Sequence, residues 1–317
     1  MFSSFGSRLA GLLVVGIVVV FLVTRLDDGT DGPAETTGGD DESAAPAPTL
    51  DQVDAVEVQA LPTAPAWPDS STTGVPDGVV LTPSSGFDIT DDGTVIDGLD
   101  ITGCLVVRAD DVTIRNSRIR GSCGAGAIDT GTNGQSGILI EDVEIDGLGE
   151  NPDGYLLGAS GFTCRRCDIH SGGNGIRIVN DVVIEDSYIH DIVNVDGAHF
   201  TAIGSNGGQR IVLRHNNIDN PAGGSAALGL YGDFAPIQNV LVENNLFNGG
   251  NSYAVYAGAI GGKAFPDGNN VRFIDNRWGR EYWDLSAQYG PVSGFGANDP
   301  GNEWSGNEFL DGEIIEP

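Results

Sequence analysis

From residue 94 onward one eight-residue pattern recurs: apolar, any, apolar, any, two polar or small residues, any, apolar. The clear copies are VTIRNSRI (112–119), ILIEDVEI (138–145), FTCRRCDI (162–169), VVIEDSYI (182–189), IVLRHNNI (211–218), VLVENNLF (240–247) and VRFIDNRW (271–278). Weaker copies, TVIDGLDI (94–101) and NEWSGNEF (302–309), flank them and bring the number to nine. The closing apolar residue falls at Ile101, Ile119, Ile145, Ile169, Ile189, Ile218, Phe247, Trp278 and Phe309, with gaps of 18, 26, 24, 20, 29, 29, 31 and 31 residues. A repeat of this period marks a solenoid. The runs are β-branched and alternate with period two, so each copy reads as strand and not helix. Further short strands, GIRIV (175–179) and YAVYAG (253–258), lie between copies, and 48 glycines punctuate the chain. No segment after residue 25 has helical periodicity. The expected fold is all-β: a right-handed parallel β-helix of about nine rungs, one per repeat, roughly 40 Å long at ~4.8 Å per rung.

The sixth position of the last four copies is asparagine: Asn216, Asn245, Asn276 and Asn307. Asparagine tolerates left-handed backbone at a turn, and stacked amides can bond along the rod as a ladder. On that reading a leucine at position 245 costs ~1–3 kcal/mol. Cys167 holds the same position one region earlier and Cys164 the inward third position. Both point into the core, as a local bridge or as two buried thiols. Cys104 and Cys123 fall at nearly the same point of adjacent rungs, which suits a disulfide.

Residues 9–23, LAGLLVVGIVVVFLV, are apolar and bracketed by Arg8 and Arg25. The run is short for a membrane span and has the length of a signal-peptide core. No small-residue cleavage site follows closely, so residues 1–25 read as an uncleaved signal-anchor, with secretion after cleavage as the alternative. Residues 26–66 are acidic, rich in Pro, Gly and Thr, and aperiodic: a disordered tether. Residues 67–317 form the folded domain. The net charge of −30 argues against nucleic acid and anionic lipid as partners, because both require basic surface. The domain is expected to be monomeric, extracytoplasmic and held to the membrane only by its N-terminal anchor.

The stretches WPDSSTTGVPDGVVLTPSSGFDIT, GTVIDGLDITGCLVVRADDVTIRNSRIRG, GDFAPIQNVLVENNLFNGG (232–250), NRWGREY (276–282), YGPVSG (289–294) and WSGNEF (304–309) together resemble a group of exported bacterial single-domain β-helix proteins of the pectate-lyase-like superfamily. The likeness covers about residues 67–317. It implies the fold, and it implies a polysaccharide as partner, since the superfamily includes lyases and hydrolases acting on acidic polysaccharides. The chain departs from the group at three polar positions. Thr201 stands for an aspartate, Gly204 for a glutamine and Tyr231, before Gly232 and Asp233, for a lysine.

The stretch YIHDIVNVDGAHFTAIGSNGGQ (188–209) carries the remaining candidates and is expected to line the main groove. The residue after each closing apolar position points outward, so Arg120, Asp146, His170, His190 and Asp219 should stack in a column. Arg177 points outward from the next strand, beside the rung of His199 and Thr201. A lyase removes a proton beside a uronate carboxylate. Arg177, His190 or His199 would then be the base, with a cation, Ca2+ for instance, held by Asp191 and Asp196. A hydrolase uses two carboxylates, here Asp191 and Asp196. His170, Asp191, Thr201, Tyr231 and Asp233 are the expected substrate contacts. Tyr231, Phe234, Tyr253 and Tyr256 add aromatic faces on two successive rungs, while Trp278, Tyr282 and Trp283 are expected to close the C-terminal end. Histidine without a cation or further donors does not stabilise a developing dianion. The reading is therefore a membrane-anchored β-helix that binds polysaccharide without turnover, with a lyase or hydrolase of acidic polysaccharide as the alternative.

Overall fold

The computed structural model describes residues 66–317 apart from 122, 125, 132–133, 150–153, 194–198 and 222–223. The expected anchor and nearly all of the tether lie outside the described residues, as does Asp196. Among the described residues no helix is long and apolar enough to cross a membrane.

The 24 strands pair in parallel throughout, as the repeat requires; one isolated antiparallel bridge, Glu308 to Ile314, follows at the end. They stack into three sheets of a right-handed β-helix. In sheet I the inward column runs Ile96, Ile114, Ile140, Cys164, Ile184, Leu213, Val242, Phe273, Trp304. In sheet II it runs through all nine closing residues, Ile101 to Phe309, each paired with the next. Sheet III adds Leu105, Ile128, Leu157, Ile176, Ile203, Leu228, Val255 and Val292. Nearly all of these side chains are fully buried, and each is worth ~1.5–3 kcal/mol of apolar burial. Thr82–Ile89 pairs with Leu99–Val107, placing Ser84 under Ile101 and Phe87 under Leu105. The stack thus begins one layer before the first repeat copy. Trp278 is not an end cap but a fully buried core residue. Trp304, packed on Phe273 and Phe295, lies above it.

The corner between sheets I and II explains the sixth-position asparagines. The left-handed residue is the one before: His215, Asn244 and Asp275 have φ of 50°, 51° and 54°. The asparagine itself points inward and is buried. Asn216, Asn245 and Asn276 each donate from Nδ2 to the next asparagine's Oδ1, at 2.9, 3.0 and 3.0 Å. Each also donates to a carbonyl of the previous rung: Ile184, Leu213 and Val242. Only the ladder half of the sequence argument therefore applies to these residues. Both cysteine pairs are bridged, Cys104 to Cys123 and Cys164 to Cys167, with Cα atoms 6.0 and 6.2 Å apart.

Two further features set the register. On the outer side of sheet I, Asp97, Arg115, Glu141, Arg165, Glu185, Arg214 and Glu243 stack in one column of strictly alternating charge. Arg165 reaches both neighbours, Glu141 at 3.2 Å and Glu185 at 2.5 Å. Single exposed pairs contribute little to stability, but a slip by one rung would set like charges opposite one another. Residues 66–81 form a strap that climbs the corner between sheets I and II. Trp67 packs on His215, the Pro68 carbonyl accepts from Asn217, and the Gly74 amide donates to the Arg166 carbonyl at 2.8 Å.

Candidate functional site

The outward residues separate into two groups, because the turn Ser171–Gly173 carries the chain from sheet II to sheet III. His170, His190 and Asp191 belong to sheet II; Arg177, Thr201, Tyr231 and Asp233 belong to sheet III or its rim. They do not converge on one face as the sequence spacing suggested. His199 is exposed on the loop between the sheets, 3.3 Å from Ser225 Oγ.

The sheet II column stacks as expected: Arg120, Asp146, His170 and His190 are successive register partners. Its neighbour runs Asp100, Arg118, Glu144, Asp168, Tyr188. The two imidazoles stack with centroids 5.1 Å apart, and Tyr188 lies 3.9 Å from the His190 ring. His190 Nε2 is 2.7 Å from Asp168 Oδ1 and its Nδ1 is 2.8 Å from Asp191 Oδ2. Both nitrogens face carboxylates, so the ring offers no free lone pair to a substrate. This is the geometry of a hydrogen-bonded structural residue rather than of a poised base.

His170 has Ser171 Oγ at 2.8 Å from Nδ1, Asp146 at 3.8 Å and Glu144 at 3.7 Å. Burial works to lower its pKa, but Glu144, Asp168 and Asp146 outweigh burial and hold it above the usual histidine value. His170, against the effect of burial, holds Glu144 below the usual carboxylate value, with help from Arg118. The two shifts bound a stability window. The raised histidine contributes fully below its unfolded pKa, and that contribution is lost as pH rises through its folded value. The depressed glutamate contributes above its unfolded pKa, and its share is lost as pH falls through its folded value. His170→Gln is therefore expected to destabilise the protein in weakly acidic buffer and progressively less as pH rises. Denaturant unfolding across that range checks it; a pH-independent difference would place the effect in packing instead.

Sheet III carries a different surface. Its outward column reads Asp129, Gly158, Arg177, Gly204, Gly229, Tyr256, Ser293. Tyrosines lie over the glycines. A Cβ on Gly229 would run into the Tyr231 ring, and one on Gly204 would fall 2.5 Å from Thr201 Oγ1 and 3.5 Å from the Tyr155 hydroxyl. Tyr231 and Tyr256 are 5.2 Å apart, Tyr253 lies 5.7 Å from Tyr256, and Tyr289 6.1 Å from Tyr253. Lys263 bonds Asp233 at 2.8 Å and sits over the Tyr231 ring at 5.1 Å. Burial raises the pKa of both Tyr155 and Tyr231, which keeps their hydroxyls protonated as donors. Arg177 is exposed and, among the described residues, has no carboxylate partner. Nearly every other described arginine does. Among the described residues no group of three or more His, Cys, Asp or Glu is arranged to hold a metal.

Sequence reasoning named Tyr231, Tyr253, Tyr256 and Arg177 as candidates, and the structure brings them to sheet III or its rim. It missed Tyr155, whose only signal is its place two rungs before Thr201. It also missed Asp168, which is the closing residue's neighbour in FTCRRCDI. The family model for right-handed β-helix regions matches residues 77–247, and none of the curated proteins matches the chain. The chain belongs to the right-handed β-helix family.

Proposed function

We propose that this member of the right-handed β-helix family binds a polysaccharide along sheet III and releases it unchanged. The carrying observation is the strip of tyrosines laid on glycines beside Arg177, which has no carboxylate partner among the described residues. Aromatic faces stack on sugar rings, the glycines leave room for the rings to lie flat, and protonated hydroxyls hydrogen-bond to sugar hydroxyls. An exposed guanidinium suits a carboxylate or sulfate on the glycan. Turnover would need a base or paired carboxylates at the same place. The described carboxylates near the strip are already engaged, Asp233 by Lys263 and Asp129 by the Gly131 amide. Two disulfides favour an oxidising compartment, and residues 9–23 would anchor the protein at the cell surface.

The test screens neutral and acidic polysaccharides for binding and, in the same samples, for new reducing or unsaturated ends. Binding to an acidic chain is expected to weaken about tenfold or more in Arg177→Ala and Tyr231→Ala. His190→Ala should leave it unchanged. New chain ends that vanish in Arg177→Ala would show a lyase or hydrolase instead.

A further inference from the structure

We propose that sheet II carries a site for a hard divalent cation of the calcium kind, centred on Asp219. Three side-chain oxygens there have no hydrogen-bond donor among the described residues and are sealed from solvent: Asn217 Oδ1, Asp219 Oδ1 and Asn248 Oδ1. Asn217 and Asp219 flank the inward Ile218 on one strand, and Asn248 stands in register with Asp219 on the next rung. Asp219 is 8 % exposed and Asn248 6 %. Buried acceptors without donors are rare in folded proteins and point to a bound water or ion. In these orientations the three acceptors cannot satisfy one another. Turning the Asn217 amide over offers no relief, since its nitrogen already donates to the Pro68 carbonyl at 3.1 Å. The Asn248 oxygen lies over Gly279, in space that any side chain at 279 would fill.

The surrounding charge has the matching sign. The other Asp219 oxygen accepts the Tyr282 hydroxyl at 2.9 Å. The Asp191 and Glu281 carboxylates also act on Asp219; both are exposed, and Asp191 bonds His190. His190, which also faces Asp219, is committed to Asp168 and Asp191. The donors are one carboxylate and two amide carbonyls, with no sulfur or imidazole among them. That set suits calcium, which takes 6–8 oxygen ligands in a flexible shell, and does not suit zinc. The bound ion would pin the segment carrying Glu281 and Tyr282 onto sheet II.

The experiment uses the full-length chain in EDTA and in calcium chloride at about pH 7.5. It reads thermal unfolding and terbium luminescence sensitised by Tyr188 and Tyr282. Calcium should raise the melting temperature of the wild type, and terbium should light up and be displaced by calcium. Asp219→Asn, nearly isosteric, should weaken binding about tenfold or more and remove the calcium response. Asp77→Asn, at an exposed acid elsewhere, should change neither. Equal calcium responses in wild type and Asp219→Asn would assign the effect to the acidic surface at large and overturn the site. No response in the wild type, with Asp219→Asn the more stable protein in EDTA, would show that a proton rather than a cation satisfies Asp219.

Discussion

Asn245→Leu is expected to destabilise the domain by ~3–5 kcal/mol, more than the sequence alone suggested. Asn245 Oδ1 accepts from the Asn216 backbone and side-chain amides at 3.0 and 2.9 Å. Its Nδ2 donates to Leu213 O, Glu243 O and Asn276 Oδ1 at 2.9, 3.1 and 3.0 Å. Leucine has the volume but none of these bonds, and it leaves the Asn216 amide and the Leu213 carbonyl facing hydrocarbon at a buried position. Each stranded group costs ~1–3 kcal/mol. For a domain of this size the melting temperature should fall by about 10 °C or more. Denaturant unfolding gives the free energy directly; a loss below ~1 kcal/mol would mean that the ladder bonds are replaced by water.

Gly208→Ala is expected to cost ~4 kcal/mol or more, or to prevent folding. A Cβ there would overlap the Val179 carbonyl oxygen of the rung below. Both partners are backbone, held by the parallel ladder in which the Gln209 amide donates to that same carbonyl at 2.9 Å. Neither can move without opening the stack, since packed interiors transmit a displacement instead of absorbing it. Gly261→Ala is the control. No heavy atom comes within 4 Å of its Cβ position and its φ is not left-handed, so the change should be neutral or stabilising by ~0.4–1 kcal/mol through the unfolded chain. If the two variants unfold at the same temperature, rung spacing is more compliant than close packing implies.

The register of the rod was legible from the repeat, because the same side-chain face must be buried on every rung. Each predicted closing residue pairs with the next, from Ile101 to Phe309, and the stacked His170 and His190 follow from that register. The corner was misplaced by one residue, since asparagine suits both a left-handed turn and a ladder and the sequence does not say which it occupies. The alternating charges from Asp97 to Glu243 were also readable, all at the fourth repeat position, but they show only when the copies are aligned. What periodicity cannot supply is the reach of the irregular segments. Ser171–Gly173 swings Arg177 onto a different sheet from His190. Tyr282 bonds Asp219 across 63 residues, and Pro68 meets Asn217 across 149. Those contacts depend on loop paths, which carry no period.

The strap has a mechanical consequence. It enters the described chain beside His215 and climbs toward the first rung along the corner between sheets I and II, on the side away from the sheet III strip. If the protein is tethered by its N-terminus and held by a ligand on sheet III, tension enters at Trp67. It then meets the Pro68–Asn217 and Gly74–Arg166 bonds one after another. Contacts loaded in sequence peel at low force, whereas the parallel ladders, loaded together, resist. The strap would lengthen first and spare the rungs, letting a pulled molecule give way without losing its fold or its grip.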